Sequence, residues 1–361
     1  MTRQIRLVQM GVGTVGRAVI RLVMANRERW RQQCGLEIQY VVLLDTQGGV
    51  IDRNGLSDDE MRVALTAKEA GQSVAEAPLG EQTNAANALQ PLSDLHDVVV
   101  IDCASGDGTA AAHLLALRQG WSCVLSNKAP LALDQQRHYQ LHEAGGARLW
   151  YEATVGAGLP IISTLRSLLT AGDAVHEITA CASGTLGYIT SAMMTGTPYS
   201  AAVRQAHQLG YTEPDPRDDL SGLDVARKAL ILARTFGRRI DLGDISVEPL
   251  MPTLDSSLGV EEFLANLATA DAAFAARVSH AQRAEATLKY IATIPAEGAV
   301  TVQLREVPTA SQAGSLSGPE NIFVFRTREY ADNPLTIIGP GAGPAVTAMG
   351  VVGDVLQAAA Q

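Results

Sequence analysis

An apolar run near the start of the chain passes directly into a glycine-rich turn and then into a helical pattern. The run covers residues 5–10, the turn reads Gly-Val-Gly-Thr-Val-Gly, and apolar residues recur at helical spacing as far as Trp30. A strand, this glycine pattern and a helix, in that order, are typical of a dinucleotide-binding unit, because the glycines permit a tight turn and close approach of a pyrophosphate. The helix start then faces the phosphates with unpaired amides. The predicted cofactor-binding residues here are Gly11, Val12, Gly13, Thr14, Val15 and Gly16.

A second strand is predicted over residues 38–44, and it ends at Asp45. An acid at this position ordinarily binds the ribose hydroxyls of NAD. The spacing from Gly16 is about 30 residues rather than the usual 20 or so, which requires a longer first helix or an intervening loop. No arginine adjoins Asp45 to meet a 2′-phosphate, which favours NAD, while Arg53 is close enough to leave NADP open. A turn residue ahead of two glycines is the alternative interpretation of Asp45.

Strands continue to alternate with helices further along the first half of the chain. Residues 98–101 and 123–125 are apolar strands, and a helical pattern separates them. This alternation predicts a parallel sheet, in which ligands bind at the carboxyl ends of the strands. Ser105 and Lys128 follow two such ends, and both are therefore predicted to lie at the cofactor site.

Beyond residue 150 the pattern becomes less regular. Strand-like runs recur at residues 176–182, 300–304 and 322–326, with helices between them, which predicts a mixed sheet of α+β character. A last strand at residues 335–338 enters a second glycine-rich loop that reaches Gly343 and opens a final helix. Backbone in such a loop can approach a cofactor closely.

The predicted fold is therefore an α/β Rossmann-type dinucleotide-binding domain joined to an α+β mixed-sheet domain. The first domain is expected to comprise residues 1–150 together with about 339–361, because the final helix is apolar enough to return to it. The second domain is expected to comprise residues 151–338.

The stretch 210–228 carries most of the candidate chemistry. Pro214 and Pro216 disfavour a helix across its first half, so a helix is expected to begin only near Ser221. Asp224 and Lys228 then lie one turn apart on the same face. Ser-x-x-Asp is also a capping pattern, and a charged pair at this spacing is also common on helix surfaces, so a purely structural interpretation stays open. The loop before the helix adds four more carboxylates, from Glu213, Asp215, Asp218 and Asp219.

The use of lysine adds weight to a chemical role for this stretch. The chain contains four lysines, at positions 68, 128, 228 and 289, against 24 arginines. Arginine stays protonated, whereas a lysine amine can donate and accept a proton. A lysine that faces several carboxylates is therefore a candidate catalytic group.

A glycine-rich bend follows Glu152. Such a bend exposes several carbonyl oxygens and is able to surround a small hard cation, although a simple interdomain turn fits the same spacing.

Charge and composition exclude several classes of function. The net charge is −10 and no basic run occurs, which argues against nucleic acid and anionic membranes as partners. No apolar run approaches the length of about 18 residues that spans a bilayer. The four cysteines lack a metal-binding spacing and are expected to be reduced thiols. With no signal peptide before the first strand, a cytoplasmic protein is expected.

Several segments, in order along nearly the whole chain, resemble the homoserine dehydrogenase family. The longest and most specific of them begins at residue 210. The matching segments are GVGTVG from residue 11, SNKAPLA from 126, YEATVGAGLPII from 151, SGTLGYI from 183, GYTEPDPRDDLSGLDVARK from 210 and GPGAGPAVTA from 339.

The resemblance implies an NAD(P)-dependent oxidoreductase that interconverts L-homoserine and L-aspartate 4-semialdehyde, a step in the biosynthesis of threonine, methionine and isoleucine. It implies a homodimer whose second domain serves catalysis and dimerisation. The form expected is monofunctional, without an aspartokinase or a regulatory ACT domain. NAD or NADP is the implied cofactor, with NAD favoured, and Na⁺ or K⁺ is an implied monovalent cation.

The resemblance also implies roles for individual residues. Lys228 is the implied proton donor and acceptor, and Lys128 is a second relay between cofactor and substrate. The implied substrate-binding residues are Glu213, Asp219 and Asp224. The implied cation ligands are Glu152, Val155, Ala157 and Leu159. Gly343 is implied to contact the cofactor.

Two other functions fit parts of the chain. An aldehyde dehydrogenase that uses a cysteine thioester needs a thiolate beside a histidine base, and Cys103 follows a predicted strand without any paired histidine. A non-catalytic nucleotide sensor has the same fold, and the fold alone does not exclude it. The acids around Lys228 argue against a sensor.

Overall fold

The computed structural model describes residues 2–252 and 257–361. It divides into two compact units. Unit 1 comprises Met1–Gly158 with Ala342–Gln361, and unit 2 comprises Leu159–Gly341. Each unit contains one sheet of its own, and each is described separately below.

Unit 1 is built on a seven-stranded sheet in the order β4-β3-β2-β1-β5-β6-β7. The central strands are parallel, and β3 and β4 extend one edge in antiparallel register. Strands β5 and β6 are mostly apolar, as expected for parallel strands that are covered on both faces. The strands are β1 (Arg3–Met10), β2 (Leu36–Leu44), β3 (Gly48–Ile51), β4 (Gly80–Gln82), β5 (Val98–Asp102), β6 (Ser122–Leu125) and β7 (Leu149–Trp150).

Helices pack around this sheet. The core joins Ile5, Leu7, Ile20 and Val23 to apolar residues of the C-terminal helix (Pro344–Ala359). The first helix runs for 21 residues, which explains the long spacing between Gly16 and Asp45. Besides the C-terminal helix, the α-helices of this unit are α1 (Thr14–Cys34), which is the first helix, α2 (Asp58–Glu69), α3 (Ala85–Leu89), α4 (Ala110–Arg118) and α5 (Gln135–Gly145).

Unit 2 contains a six-stranded mixed sheet in the order β13-β12-β8-β10-β11-β9. All neighbouring pairs are antiparallel except β11 with β9. A mostly antiparallel sheet with helices is the α+β character predicted for this part of the chain. Its strands are β8 (Val175–Cys181), β9 (Ser246–Val247), β10 (Ala286–Pro295), β11 (Thr301–Pro308), β12 (Glu320–Thr327) and β13 (Leu335–Pro340).

Helices of unit 2 connect and cover the strands. Helix α7 directly follows β8, and Ser183 caps it by accepting a hydrogen bond from the Leu186 amide at 3.2 Å. The helices are α6 (Ile161–Thr170), α7 (Gly184–Met194), α8 (Tyr199–Gln208), α9 (Pro216–Leu220), α10 (Leu223–Thr235), α11 (Val260–Asn266) and α12 (Asp271–Arg283). No helix in the described part of the chain is long and apolar enough to cross a membrane.

The expected helix start near Ser221 is wrong in one respect. A short helix, α9, already begins at Pro216, because proline is well tolerated in the first turn and Asp215 caps the Arg217 amide at 3.0 Å. The main helix α10 then begins after Gly222, whose φ of +74° is left-handed. A Cβ there would lie 2.0 Å from the Tyr290 hydroxyl, so this turn requires glycine.

Candidate active site

The glycine turn after β1 is shaped by two close backbone approaches. Gly11 has a φ of +90°, and a Cβ there would lie 2.4 Å from the Cys103 carbonyl carbon. A Cβ at Gly16 would lie 2.0 Å from the Gly11 carbonyl oxygen. Apart from Gly13 and its two chain neighbours, no atom lies within 4 Å of the position that a Cβ at Gly13 would take, so open space lies beside its backbone. The turn therefore has the shape that a bound pyrophosphate requires.

A buried glutamine holds this turn in place. Gln9 is fully buried, and its side-chain amide donates to the carbonyl oxygens of Gly11 and Gly16 at 3.0 Å each. Its own oxygen accepts from the Tyr40 hydroxyl at 2.9 Å. Neither residue was among the sequence-predicted site residues. The signal available was a polar residue inside an otherwise apolar strand.

Asp45 lies at the end of β2, as predicted, but protein groups surround its carboxylate. One oxygen accepts from the Gln47 amide at 3.0 Å and the Ser73 hydroxyl at 2.9 Å. The other accepts from Lys68 Nζ at 2.9 Å and the Val74 amide at 3.0 Å. Although burial opposes it, these donors together lower the pKa of Asp45, so the carboxylate is ionised at neutral pH. Four donors occupy all the acceptor positions of a carboxylate, so a ribose hydroxyl must displace one of them.

Ser105 and Lys128 lie in loops that follow adjacent strands. Ser105 is exposed in the loop after β5, and Lys128 is half-buried in the turn after β6. The carbonyl of Lys128 accepts from the amides of Leu131 and Ala132, both at 3.1 Å, and so begins a short 3₁₀ helix. Because β5 and β6 are parallel neighbours, the two loops leave the same edge of the sheet.

In unit 2, Lys228 is a buried amine with defined partners. The residue is only 9% exposed. Its Nζ donates to the Ala182 carbonyl oxygen at 2.6 Å and lies 3.0 Å from Asp224 Oδ2. Helix α10 sets the pairing with Asp224 at (i, i+4), and the end of β8 supplies the carbonyl. Because the amine is buried, its contact with Asp224 differs from an ion pair between two exposed side chains.

A second carboxylate, Asp219, adjoins the acid-rich loop and helix α7. Its side chain accepts from the Thr185 hydroxyl at 2.9 Å and from the Glu213 amide at 2.8 Å. Burial, with contributions from the charges of Glu213 and Asp224, raises the pKa of Asp219. Thr185 was not predicted from the sequence as a site residue, although it lies in the SGTLGYI segment.

The remaining acids of the loop play other parts. Asp215 forms a two-pronged ion pair with Arg217, with a shortest distance of 2.6 Å, and Arg217 also donates to the Leu258 carbonyl at 2.8 Å. Asp218 is exposed. Asp215 therefore stabilises the loop that presents Glu213 and Asp219.

Cys103 does not have the properties of an activated nucleophile. Burial raises the pKa of its thiol to about 12, so it is a neutral thiol at physiological pH. A thioester mechanism requires the opposite shift.

The bend after β7 contains the predicted cation ligands of unit 1. Glu152 is 7% exposed, and its amide donates to the Asp354 carboxylate of the C-terminal helix at 2.8 Å. Val155 is fully buried, and Ala157 adopts a left-handed φ of +56°. Leu159 is the first residue of unit 2, and its carbonyl accepts from the Ile161 amide at 2.8 Å. In the described residues, no cluster of three or more His, Cys, Asp or Glu side chains is placed to bind a metal ion.

Gly343 precedes the C-terminal helix as its N-cap residue. Its φ is +121°, and no atom lies within 4 Å of the position that a Cβ would take. The backbone at the start of this helix is therefore open to a ligand.

Comparison with known proteins assigns both units to one family. The family model described as "Homoserine dehydrogenase, NAD binding domain" matches residues 11–152. The model described as "Homoserine dehydrogenase" matches residues 160–356, more than half of the chain. The chain belongs to the homoserine dehydrogenase family.

Individual members of the homoserine dehydrogenase family support the assignment. The homoserine dehydrogenase of Emericella nidulans is 40% identical over 72% of this chain and 74% of its own length. The bifunctional aspartokinase/homoserine dehydrogenase 2 of Zea mays is 35% identical over 97% of this chain. This chain spans only 38% of the Zea mays protein. A solved structure, the putative homoserine dehydrogenase of Archaeoglobus fulgidus, is 26% identical with a TM-score of 0.77, over 98% of each chain.

Proposed function

We propose that this chain catalyses the NAD(P)-dependent interconversion of L-homoserine and L-aspartate 4-semialdehyde. The observation that carries the proposal is the buried Lys228 amine, held by the Ala182 carbonyl and Asp224. A family assignment does not by itself establish a reaction, whereas a desolvated amine with a fixed carboxylate partner is suited to proton transfer.

Lys228 is the proposed general acid and base. Reduction of the aldehyde delivers a hydride to carbon and a proton to oxygen, and a protonated amine supplies that proton and stabilises the developing alkoxide. In the reverse direction the neutral amine accepts the hydroxyl proton. Asp224 Oδ2 lies 3.0 Å from this amine and helps to fix its position. Lys128 is proposed as a second proton relay.

Glu213, Asp219 and Asp224 are proposed to bind the substrate, in part through its ammonium group. Asp219 supports this role because Thr185 and the Glu213 amide fix its orientation. A half-buried carboxylate with a raised pKa is one whose ionised form is stabilised by an arriving cation.

The residues of unit 1 fit a nicotinamide dinucleotide. The turn 11–16 and the start of α1 would hold its pyrophosphate, with Ser105, Lys128 and Gly343 as further contacts. The support is the open space beside Gly13 and Gly343. The nicotinamide, when bound, carries the hydride of the reaction.

The choice between NAD and NADP is proposed to depend on Asp45 and Lys68. An ionised Asp45 alone would repel a 2′-phosphate, and this favours NAD. Lys68, 2.9 Å away, cancels that charge and offers a cation to the phosphate. We therefore expect NAD to be preferred and NADP to be accepted. Arg53, the arginine that leaves NADP open in the sequence, pairs with Asp94 at 2.6 Å.

A monovalent cation is proposed at the bend that contains Glu152, Val155, Ala157 and Leu159. The support is a buried carboxylate followed by a left-handed backbone that redirects carbonyl oxygens. A homodimer is a further expectation from the family resemblance, and a cytoplasmic location is an expectation from the sequence. Light scattering of the purified protein tests the dimer.

The decisive experiment is an assay of NADH or NADPH formation that depends on homoserine. It should be run with each dinucleotide, in sodium, potassium and choline salts. We expect turnover with both dinucleotides, and faster turnover in an alkali salt than in choline. Cofactor binding without any turnover would favour the nucleotide sensor and contradict the proposal.

A further inference from the structure

A buried network connects the two loops that carry Ser105 and Lys128. Its centre is Asp102, the last residue of β5, which is fully buried. Its carboxylate accepts from the Ala104 amide at 2.9 Å and the Thr109 hydroxyl at 2.7 Å, both in the loop after β5. It also accepts from the Asn127 side-chain amide at 3.1 Å, in the turn after β6. One carboxylate therefore binds both loops.

Asn127 completes the connection from the other side. The residue is 6% exposed and immediately precedes Lys128. Its Nδ2 donates to the Gly106 carbonyl at 2.7 Å as well as to Asp102, and its Oδ1 accepts from the Ala129 amide at 3.1 Å. Both amide hydrogens and the amide oxygen are thus used. Aspartate has the same shape but cannot donate, so the position requires the chemistry of asparagine.

The main chain reinforces the same link. The carbonyl of Asp102 accepts from the Ser126 amide at 2.9 Å and the Ser126 hydroxyl at 3.2 Å. The turn that begins at Ser126 is therefore tied to Asp102 through both the main chain and the side chain of that residue.

We propose that Asp102 and Asn127 are positioning residues that hold the Ser105 loop and the Lys128 turn as one unit. This inference rests on the proposed function, because it assigns the two loops to cofactor binding and proton transfer. Neither residue needs to touch a ligand. A displacement of about 1 Å at a reacting group is enough to lower a rate about 100-fold, so a brace at this place acts on catalysis.

A packing role alone explains the network less well. Buried ionic groups can often be replaced by apolar residues without loss of stability, so a buried carboxylate is weak support for a stabilising role. These bonds join loops at the carboxyl ends of parallel strands, where ligands bind in such sheets. The network therefore lies where movement of a loop would also move a ligand-binding group.

The charged and titratable surroundings of Asp102 are limited. His113 of α4 is fully buried, with Nε2 at 3.1 Å from Asp102 Oδ2, and although burial opposes it, His113 together with Thr109 and the Ala104 amide lowers the pKa of Asp102. Cys103 and Cys123 are neutral thiols, because burial raises the pKa of each. Lys128 adjoins Asn127 along the chain. A second carboxylate at position 127 would therefore interact chiefly with Asp102.

The test uses Asn127→Asp, which keeps the shape and removes both donors. Two neighbouring buried carboxylates raise the pKa of one of them, and the shared proton restores a donor. We expect kcat at neutral pH to fall on the order of 100-fold. The ratio of variant to wild-type kcat should then rise as the pH is lowered. Asn127→Ala should lose activity to a similar degree without this recovery.

Two further variants keep the test decisive. Thr109→Val removes one hydroxyl donor without adding charge, and it should weaken dinucleotide binding severalfold. This variant tests the proposal even when Asn127→Asp does not fold. Trp121→Phe is the control, since it removes a 3.0 Å bond to the Leu95 carbonyl at the opposite end of β6. It should lower the melting temperature and leave kcat unchanged.

The outcomes separate this inference from the proposed function. A wild-type protein without homoserine turnover would contradict the proposed function. An active wild type, with folded Asn127→Asp and Thr109→Val variants that match its kcat and dinucleotide affinity, would overturn the positioning role. A loss of activity in Asn127→Asp that the pH does not change would also overturn it.

Discussion

Two lysines carry the proposed proton chemistry, and the protein holds them in different ways. Lys228 is held through its own side chain, by Asp224 one helical turn away and by the Ala182 carbonyl. Lys128 follows Asn127, whose side chain is fixed by residues 25 and 21 positions earlier in the chain. One of the two Lys228 partners, Asp224, is local to the same helix, although Ala182 lies 46 residues away. Both Asn127 partners depend on the packing of two strands.

The difference shows why one lysine is easier to identify from a sequence than the other. A helix fixes the (i, i+4) spacing, so the pairing of Asp224 with Lys228 follows from the register of α10. No comparable local rule places Asn127 against Asp102. The two lysines should therefore respond differently to substitution of the residues that hold them.

The largest effect is expected from Lys228→Ala. Loss of the general acid and base should lower kcat by about 10²–10⁴-fold, while dinucleotide binding is retained. Steady-state kinetics and titration of NADH fluorescence measure the two quantities. Lys289→Met is the matched control, since Lys289 is another buried lysine of unit 2 whose amine donates to the Leu316 carbonyl. A Lys228→Ala variant with wild-type kcat would remove this residue from the mechanism.

A smaller effect is expected from Asp219→Asn. The change removes a charged partner of the substrate ammonium, which typically contributes about 1.5–3 kcal/mol, so the KM for homoserine should rise about 10–100-fold. In the wild type, the raised pKa of Asp219 means that its carboxylate protonates above the ordinary value of 3.8 as the pH falls. As the pH is lowered, the KM for homoserine should therefore begin to rise at a higher pH than it would with an aspartate of ordinary pKa.

As the pH falls, the contribution of Asp219 to the stability of the protein should change in the opposite sense to homoserine binding. A folded-state pKa above the unfolded value contributes stability that is present at low pH and is lost as the pH rises through the folded pKa. Acidification should thus weaken homoserine binding while the Asp219 contribution to stability increases. Asp219→Asn should remove this part of both pH dependences. A KM that rises with acid to the same degree in Asp219→Asn would assign the effect to another group.

In unit 1, strands β1, β2, β5 and β6 follow from local patterns in the sequence, whereas β3, β4 and β7 were not predicted. Alternating apolar strands and helices, with a glycine turn after β1, predict a parallel sheet and a site at its carboxyl edge. The donors that surround Asp45 do not follow from such patterns. They come from Lys68, Ser73 and Val74, and only the folded chain brings these residues back to the end of β2.

Unit 2 was harder to predict, for a different physical reason. Strand β10 lies between β8 and β11, yet the sequence analysis did not identify it. Lys289 interrupts its apolar run, and a lysine argues against a strand buried on both faces. The structure accommodates it because the Leu316 carbonyl accepts a hydrogen bond from the amine. The pairing of Asp219 with Thr185 likewise depends on the packing of α7 against the acid-rich loop.

The ion pair of Asp45 and Lys68 in unit 1 gives a third prediction. Lys68→Met should weaken NADP binding about tenfold, because a charge-assisted hydrogen bond to the 2′-phosphate is lost, and should change NAD binding little. Affinities for the two dinucleotides, measured side by side, test this. Arg53→Met is the control, since Arg53 forms an exposed pair with Asp94, and such pairs contribute little. An equal loss for NAD and NADP would indicate that Lys68 only orders Asp45.

The smallest effect concerns the loop that presents the acids of unit 2. Asp215→Ala removes the cap of α9 and the ion pair with Arg217, and it should lower the free energy of unfolding by about 1 kcal/mol. Asp218→Ala, at an exposed neighbour in the same short helix, should stay within about 0.5 kcal/mol of the wild type. Urea unfolding at constant m-value compares the two.

Steady-state kinetics of Asp215→Ala and Asp218→Ala test whether Lys228 and Lys128 are held in different ways. If Lys228 is held by its own helix and by the Ala182 carbonyl, a less stable acidic loop should raise the KM for homoserine slightly and leave kcat nearly unchanged. A large fall in kcat in Asp215→Ala would mean that Lys228 depends on distant packing as much as Lys128 does. The distinction between a locally held and a remotely held lysine would then be wrong.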